Sequence, residues 1–177
     1  MDARARRFPV VDGRSLLGRT YRLPADLPGE RTLAVIAFQQ WHQARVDRWI
    51  ARAAASGIPS TLVGVTGRLP LAVVELPVLA TGWRLVRGAI DGGMAAGIGD
   101  PDILSRTITV YTSVRRFRAP LGIPDSRDVV AAVVTPGGAV LAMATGEVDE
   151  GWALIAPALA DAGPGASADE ARGAGQA

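Results

Sequence analysis

His42 is the only histidine in the 177 residues; there is no cysteine, and every one of the 19 Lys+Arg positions is arginine. Without a thiol, these residues can form no disulfide, no thiolate metal site and no thiol-exchange intermediate. Without lysine they offer no Schiff base and no amine base. His42 alone could serve as a general base, or as an anion contact at a helix start. No nucleophile or carboxylate stands at a convincing spacing from it, so the reading is a structural histidine beside Trp41 and no catalytic residue. One histidine without cysteine also leaves no transition-metal ligand set. Asp91, Asp100 and Asp102 lie close together among glycines and could hold a hard cation weakly. Their spacing is not that of a calcium-binding hand, and a solvated turn is the better reading. Residues 88–99 are rich in glycine but match neither phosphate-loop fingerprint and follow no strand. No metal and no cofactor is expected.

The densest positive cluster is Arg115, Arg116 and Arg118 around Phe117. It reads as a solvated face beside a core aromatic, with an anion patch as the alternative. Formal net charge is only +2, although the pI is near 9.9. Between the carboxylates and the guanidinium groups, one His and two Tyr are the only side chains left to titrate, so a small excess of arginine moves the pI far. A high pI of that origin carries no strong field, and no nucleic-acid partner is expected. Arginine without lysine fits a GC-rich coding bias.

The elements that must position these groups follow from pattern. At 49% apolar and 20% charged residues the chain suits one globular domain, residues 8–160, with residues 1–7 and 163–177 as disordered tails. No stretch reaches the roughly 18 apolar residues that would span a bilayer. The arginine-rich start lacks the apolar core of a secretory signal, and a cytoplasmic location is expected. Asp12-Gly13 between two apolar runs predicts a hairpin turn. Residues 33–38 read as a strand covered on both faces. The helix after it carries Val46, Trp49, Ile50 and Ala53 on one stripe and Arg45, Arg48 and Arg52 on another. Residues 61–65 read as the next strand, which would make a β-α-β unit with parallel strands. Residues 67–76 read as a loop around Pro70, and Pro77 as the first residue of a helix with Leu79, Trp83, Val86 and Ile90 on its stripe. Residues 107–111 form a short strand, and residues 114–121 one or two helical turns ended by Gly122. Residues 129–134 and 139–144 flank a type II turn, with glycine at its third position, Gly137. A last helix carries Val148, Trp152, Ile155 and Leu159, bending or ending near Pro157. Trp49, Trp83 and Trp152 fall on apolar stripes and belong to the core. Trp41 alone falls at a strand-to-helix corner.

This order of elements resembles the thioredoxin-like superfamily, in particular its redoxin and peroxiredoxin branch with an N-terminal hairpin ahead of the first β-α-β unit. The resemblance rests on residues 33–38 before the corner, Tyr111-Thr112-Ser113 after the third core strand, Leu121-Gly122-Ile123, and residues 133–140. It implies an α/β, thioredoxin-like fold: a central mixed sheet flanked by helices, with an N-terminal β-hairpin extension. A narrower resemblance is to a cysteine-free redoxin-like family that includes mitochondrial factors for assembling the membrane sector of F-type ATP synthase. It rests on residues 23–28, residues 37–41, Glu75-Leu76-Pro77, Asp91-Gly92-Gly93-Met94 with Gly97-Ile98, and residues 106–111. It implies a non-catalytic chaperone or assembly role. Redox-active members of the superfamily place cysteines at the corner, near Trp41 and Ala44 here, and a proline, often cis, next to the third core strand, expected just before Val129, where this chain has Arg127-Asp128. Both halves of that active site are missing. The expected protein is therefore a redox-inactive binder. Its contact surface would be Gln39, Gln40, Trp41 and His42, with Tyr111 and Thr112 across the groove, meeting a protein partner of unknown identity. The alternatives are a non-thiol enzyme using His42 with a bound small molecule, and a structural subunit that forms a homodimer through its exposed sheet edge or this same face.

Overall fold

A computed structural model describes residues 6–80 and 100–160. Seven strands form one mixed sheet: β1 (Val11–Ser15), β2 (Thr20–Leu23), β3 (Gly29–Ala37), β4 (Leu69–Leu79), β5 (Ile108–Tyr111), β6 (Val130–Val134) and β7 (Val140–Thr145). The helices are α1 (Gln43–Ala55), α2 (Pro101–Arg106), α3 (Val114–Arg118) and α4 (Val148–Ala160), with 3-10 turns at Gln40–His42 and Ala119–Leu121. The strand order is β2-β1-β5-β4-β3-β6-β7. β3 pairs β4 and β4 pairs β5 in parallel, and every other pairing in the sheet is antiparallel. This is the α/β architecture with an N-terminal hairpin that the element order implies.

Successive residues of a strand point to opposite faces, so a strand buried on both faces must be apolar throughout. The paired segments of β3 and β6 follow that rule. Leu33, Val35, Ala131 and Val133 meet Val46, Trp49 and Ile50 of α1 and Ile155 and Leu159 of α4 on one face. Ala34, Ile36, Ala132 and Val134 meet Phe8, Leu23, Leu27, Phe117 and Leu121 on the other. The stripe expected on α1 is the buried one. α4 approaches Trp49 closely because residue 151 is glycine: a Cβ there would stand 2.8 Å from the indole and 2.9 Å from Ala144.

Several boundaries differ from the sequence reading, each for a physical reason. β1 runs straight through Asp12-Gly13, and the hairpin turns at Leu16–Arg19 instead, where Gly18 takes φ 89. Gly13 is there for close packing, since a Cβ would meet Ile108 Cγ2 at 2.7 Å. Residues 61–65 form no strand. Gly64 takes φ 71, Val63 is exposed, and the segment is tied to α2 by Thr61 Oγ1 to Asp102 and by Leu62 N to Ser105 Oγ. The parallel partner of β3 is β4, in the stretch read as a loop and a helix start. Pro70 and Pro77 do not break it because they fall near its ends, Pro77 opposite the last residue of β3. Trp83, Val86, Ile90 and Asp91 lie outside the described residues. The β6–β7 turn is closed by Gly138 N to Thr135 O at 2.8 Å, but the left-handed residue is Gly138 (φ 83), not Gly137. That is the pattern of a type I turn with a glycine bulge. α4 continues through Pro157 to Ala160, and Arg31 Nη1 donates to the carbonyl of Ala158 near its end.

Candidate functional site

β3 ends on the buried Ala37, the next residue, Phe38, is buried as well, Gln39 is extended, and the chain turns through Gln40–His42 into α1. Burial alternates sharply over this corner. Gln39 and Gln40 are exposed, Trp41 is 64% exposed, and His42 is 0% exposed. The two rings meet edge to face with centroids 4.4 Å apart.

His42 holds the corner together. Its Nδ1 accepts from Phe38 N at 3.2 Å, and its Nε2 lies 3.0 Å from the carbonyl of Arg127. An N–H donor on one nitrogen and a carbonyl on the other define the neutral ring with the proton on Nε2. Both nitrogens are therefore occupied by backbone. His42 cannot present itself to a partner, and among the described residues no carboxylate is bonded to it to orient it as a base. The expectation that it contributes to the contact surface is corrected, and the enzyme built on His42 loses its base. Two clefts, of about 620 and 280 Å³, lie along the N-terminal hairpin, and neither borders His42.

The ties continue along α1. Arg45 Nη1 reaches Asp128 at 2.6 Å, Arg45 Nε reaches Glu147 at 2.7 Å, and Arg48 Nη2 takes the other Glu147 oxygen at 2.6 Å. Hydrogen bonds from Arg48 and then Arg45 hold the Glu147 carboxyl below its usual range. Trp49 Nε1 donates to the carbonyl of Gly146. Arg127 and Asp128 thus lie directly against the corner. Sequence reasoning recorded them only as a missing proline. Their role as anchors follows from Arg45 and His42 meeting them 83 and 85 residues away, which no local pattern shows.

Glu75 was missed as well. It is 5% exposed on β4, opposite Val35, and accepts from Thr107 Oγ1 at 3.3 Å. Burial pushes its carboxyl up, against the opposing hydrogen bonds from Gln43 and Thr107. An acidic residue inside the run Ala72-Val73-Val74-Glu75-Leu76 was the available signal, and reading that stretch as a loop concealed it.

The remaining candidates separate. Tyr111 and Thr112 end β5 at the same edge of the sheet as the corner, but they line the 620 Å³ cleft with Asp12, Arg14 and Tyr21 of the hairpin. Asp100 caps α2 by accepting from Asp102 N, and Asp102 accepts from Thr61, so both carboxylates serve local structure. No group of three or more metal-ligating side chains occurs among the described residues. Trp49 is fully buried. Trp152 packs on it at 6.3 Å, with the Arg52 guanidinium over the Trp152 ring.

The sheet order, the parallel β3-α1-β4 unit and the corner at the end of β3 define a thioredoxin-like fold. Solved structures with this architecture include the exposed lipoprotein thioredoxin of Streptococcus pneumoniae, at 14% identity, 86% of this chain, 98% of that chain and TM-score 0.51. BsSco, a member of the Sco family of cytochrome c oxidase assembly proteins, aligns at 14% identity over 91% of this chain and 95% of its own, with TM-score 0.53. The thioredoxin domain of a thiol-disulfide oxidoreductase from Bacteroides vulgatus aligns at 15% identity over 90% and 99%, with TM-score 0.51. No family model and no curated protein matches the sequence. No helix among the described residues is long and apolar enough to cross a membrane.

Proposed function

We propose that this is a redox-inactive thioredoxin-like protein that acts by binding another protein at the corner Gln39–Gln40–Trp41. The observation that carries the reading is Trp41: a large aromatic, 64% exposed, on a corner otherwise fixed by His42, Arg45 and the Arg127–Asp128 loop. An exposed aromatic on a rigid support keeps its surface ready for a partner at little ordering cost. The absence of cysteine from all 177 residues supports the loss of thiol chemistry. A role in assembling a membrane complex, such as ATP synthase, is the finer form of this proposal. It is supported by the local resemblance around residues 23–28 and 37–41. Co-purification from a mildly detergent-solubilised extract tests it, with Trp41→Ala as the comparison. His42 stays intact, because its removal would disturb the fold. A defined partner held by the wild type and lost from Trp41→Ala is the expected result. Equal recovery with both, or turnover of a thiol or peroxide by the purified chain, sinks the reading.

The homodimer is kept as a second reading because β7 ends the sheet without a charged residue in Val140–Thr145, and Leu141 is exposed on it. Sheet edges that stay unpaired are usually blunted by charge. Light scattering decides it: a mass twice that of the chain supports the dimer, and the monomer mass removes it.

A further inference from the structure

We propose that the outer face of α4 is a self-association surface, which packs antiparallel against α4 of a second copy of this chain. A helix laid on a sheet normally turns charged and polar residues to the water side. α4 does not. From Gly151 to Ala160 it holds no charged, amide or hydroxyl side chain. Ile155 and Leu159 are buried in the core, but Ala153, Leu154, Pro157 and Ala160 are exposed, Leu154 by 64%. Positions 153, 157 and 160 follow at spacings of four and three, so they share one stripe, with Leu154 beside it. α1, which meets α4 through Trp49 and Trp152, shows the ordinary pattern and turns Asp47, Arg48 and Arg52 to solvent.

Charge selects the occupant of this face. Asp149 and Glu150, exposed in the first turn of α4, have no ion pair among the described residues. At the other end Arg31 donates to the carbonyl of Ala158 and has no carboxylate partner among them. The face is thus acidic at one end, apolar in the middle and basic at the other. An anionic membrane would be repelled at the first end, and a basic partner at the second. A second copy laid antiparallel supplies the opposite charge at both. If the helices cross between Ala153 and Leu154, Asp149 of each copy falls opposite Ala158 of the other, beside its Arg31. A parallel pair would set Asp149 against Asp149. Shape agrees with charge: at that crossing Leu154 of one copy lies over Ala153 of the other, and the small side chains let the axes approach to about 8–10 Å.

This inference is independent of the Trp41 reading, and it reaches a homodimer by a face other than the β7 edge. Light scattering on the full chain over a concentration series tests it, with a mass twice that of the chain expected at the upper end. Leu154→Glu, at an exposed position that leaves the core intact, should raise the dissociation constant about tenfold or more, because a charge is then pressed against apolar surface. Asp149→Arg should raise it about fivefold, and by less at high salt. Trp41→Ala and Leu141→Glu should dimerise as the wild type does. The chain has no cysteine, so a single introduced thiol reports on its own neighbourhood. Leu154→Cys should join two copies by one disulfide under mild oxidation, and Leu141→Cys should not. The mass of one chain at every concentration overturns the proposal. So does a dimer that survives Leu154→Glu and is lost in Leu141→Glu, which would be an edge dimer. A monomer that sediments with phosphatidylglycerol vesicles overturns it too, and would make the face a membrane contact.

Discussion

Trp41 and His42 are neighbours in sequence and touch in space, yet one is 64% exposed and the other fully buried. The inner half of the corner is closed chemistry. Both His42 nitrogens, the Arg45 fork and the Trp49 N–H each have a partner on the Arg127–Asp128 loop, on Glu147 or in the backbone. The outer half, Gln39 to Trp41, is open. A residue type at a plausible place does not identify a site. What separates support from display is whether its polar atoms are already engaged.

That division can be broken from the inside first. Trp49→Ala removes the side chain that α1, α4 and Gly151 close upon, and should cost about 3–5 kcal/mol in denaturant unfolding. A loss under about 1 kcal/mol would mean that the inner half is loosely packed. His42→Ala leaves Phe38 N–H and the Arg127 carbonyl without their partner, at a cost on the order of 2–3 kcal/mol. If stability is unchanged, the histidine does not tie the corner.

Glu75 sharpens the contrast through pH. Burial raises its carboxyl above the ordinary 4.5, so its stabilising contribution is complete below about that pH and is lost as pH rises through the folded value. Glu75→Gln stays neutral, so its stability should gain on the wild type as pH climbs from 4.5 through the folded value, and level off above it. A difference that does not change with pH would contradict the burial argument. Glu147 carries the opposite sign. Its carboxyl is held below 4.5, so its contribution is present above that pH and fades as pH falls through the folded value. At an exposed site the effect is small, and Glu147→Gln should simply remove it. The smallest change in stability belongs to Trp41→Ala, within about 0.5 kcal/mol of wild type, because the ring is mostly in solvent.

Much of the architecture was legible because it rests on local pattern. The stripe Val46, Trp49, Ile50 and Ala53, the apolar runs of β3 and β6, and the short strand ending at Tyr111 all follow from burial on one face or two. β4 was not legible. Its prolines imitate loop signals, and only the pairing of Leu69–Leu79 with β3 shows that they fall where the sheet tolerates them. Asp12-Gly13 misled for a related reason: glycine serves close packing as readily as a turn, and Ile108 cannot be seen from Gly13 in the sequence. At the corner, the exposed Trp41 could be anticipated from its position. The burial of His42 could not, because its acceptor lies 85 residues away on Arg127. The same distance concealed Asp128 and Glu147 as partners of Arg45.

Site-specific photo-crosslinking tests the central claim most directly. A photoreactive phenylalanine analogue is placed at position 41 in one protein and at Val63, another exposed apolar position away from the corner, in a second. Both are irradiated in the native extract. A discrete crosslinked product from position 41, absent from position 63, is the predicted result. The same products from both positions, or none from position 41, would contradict it.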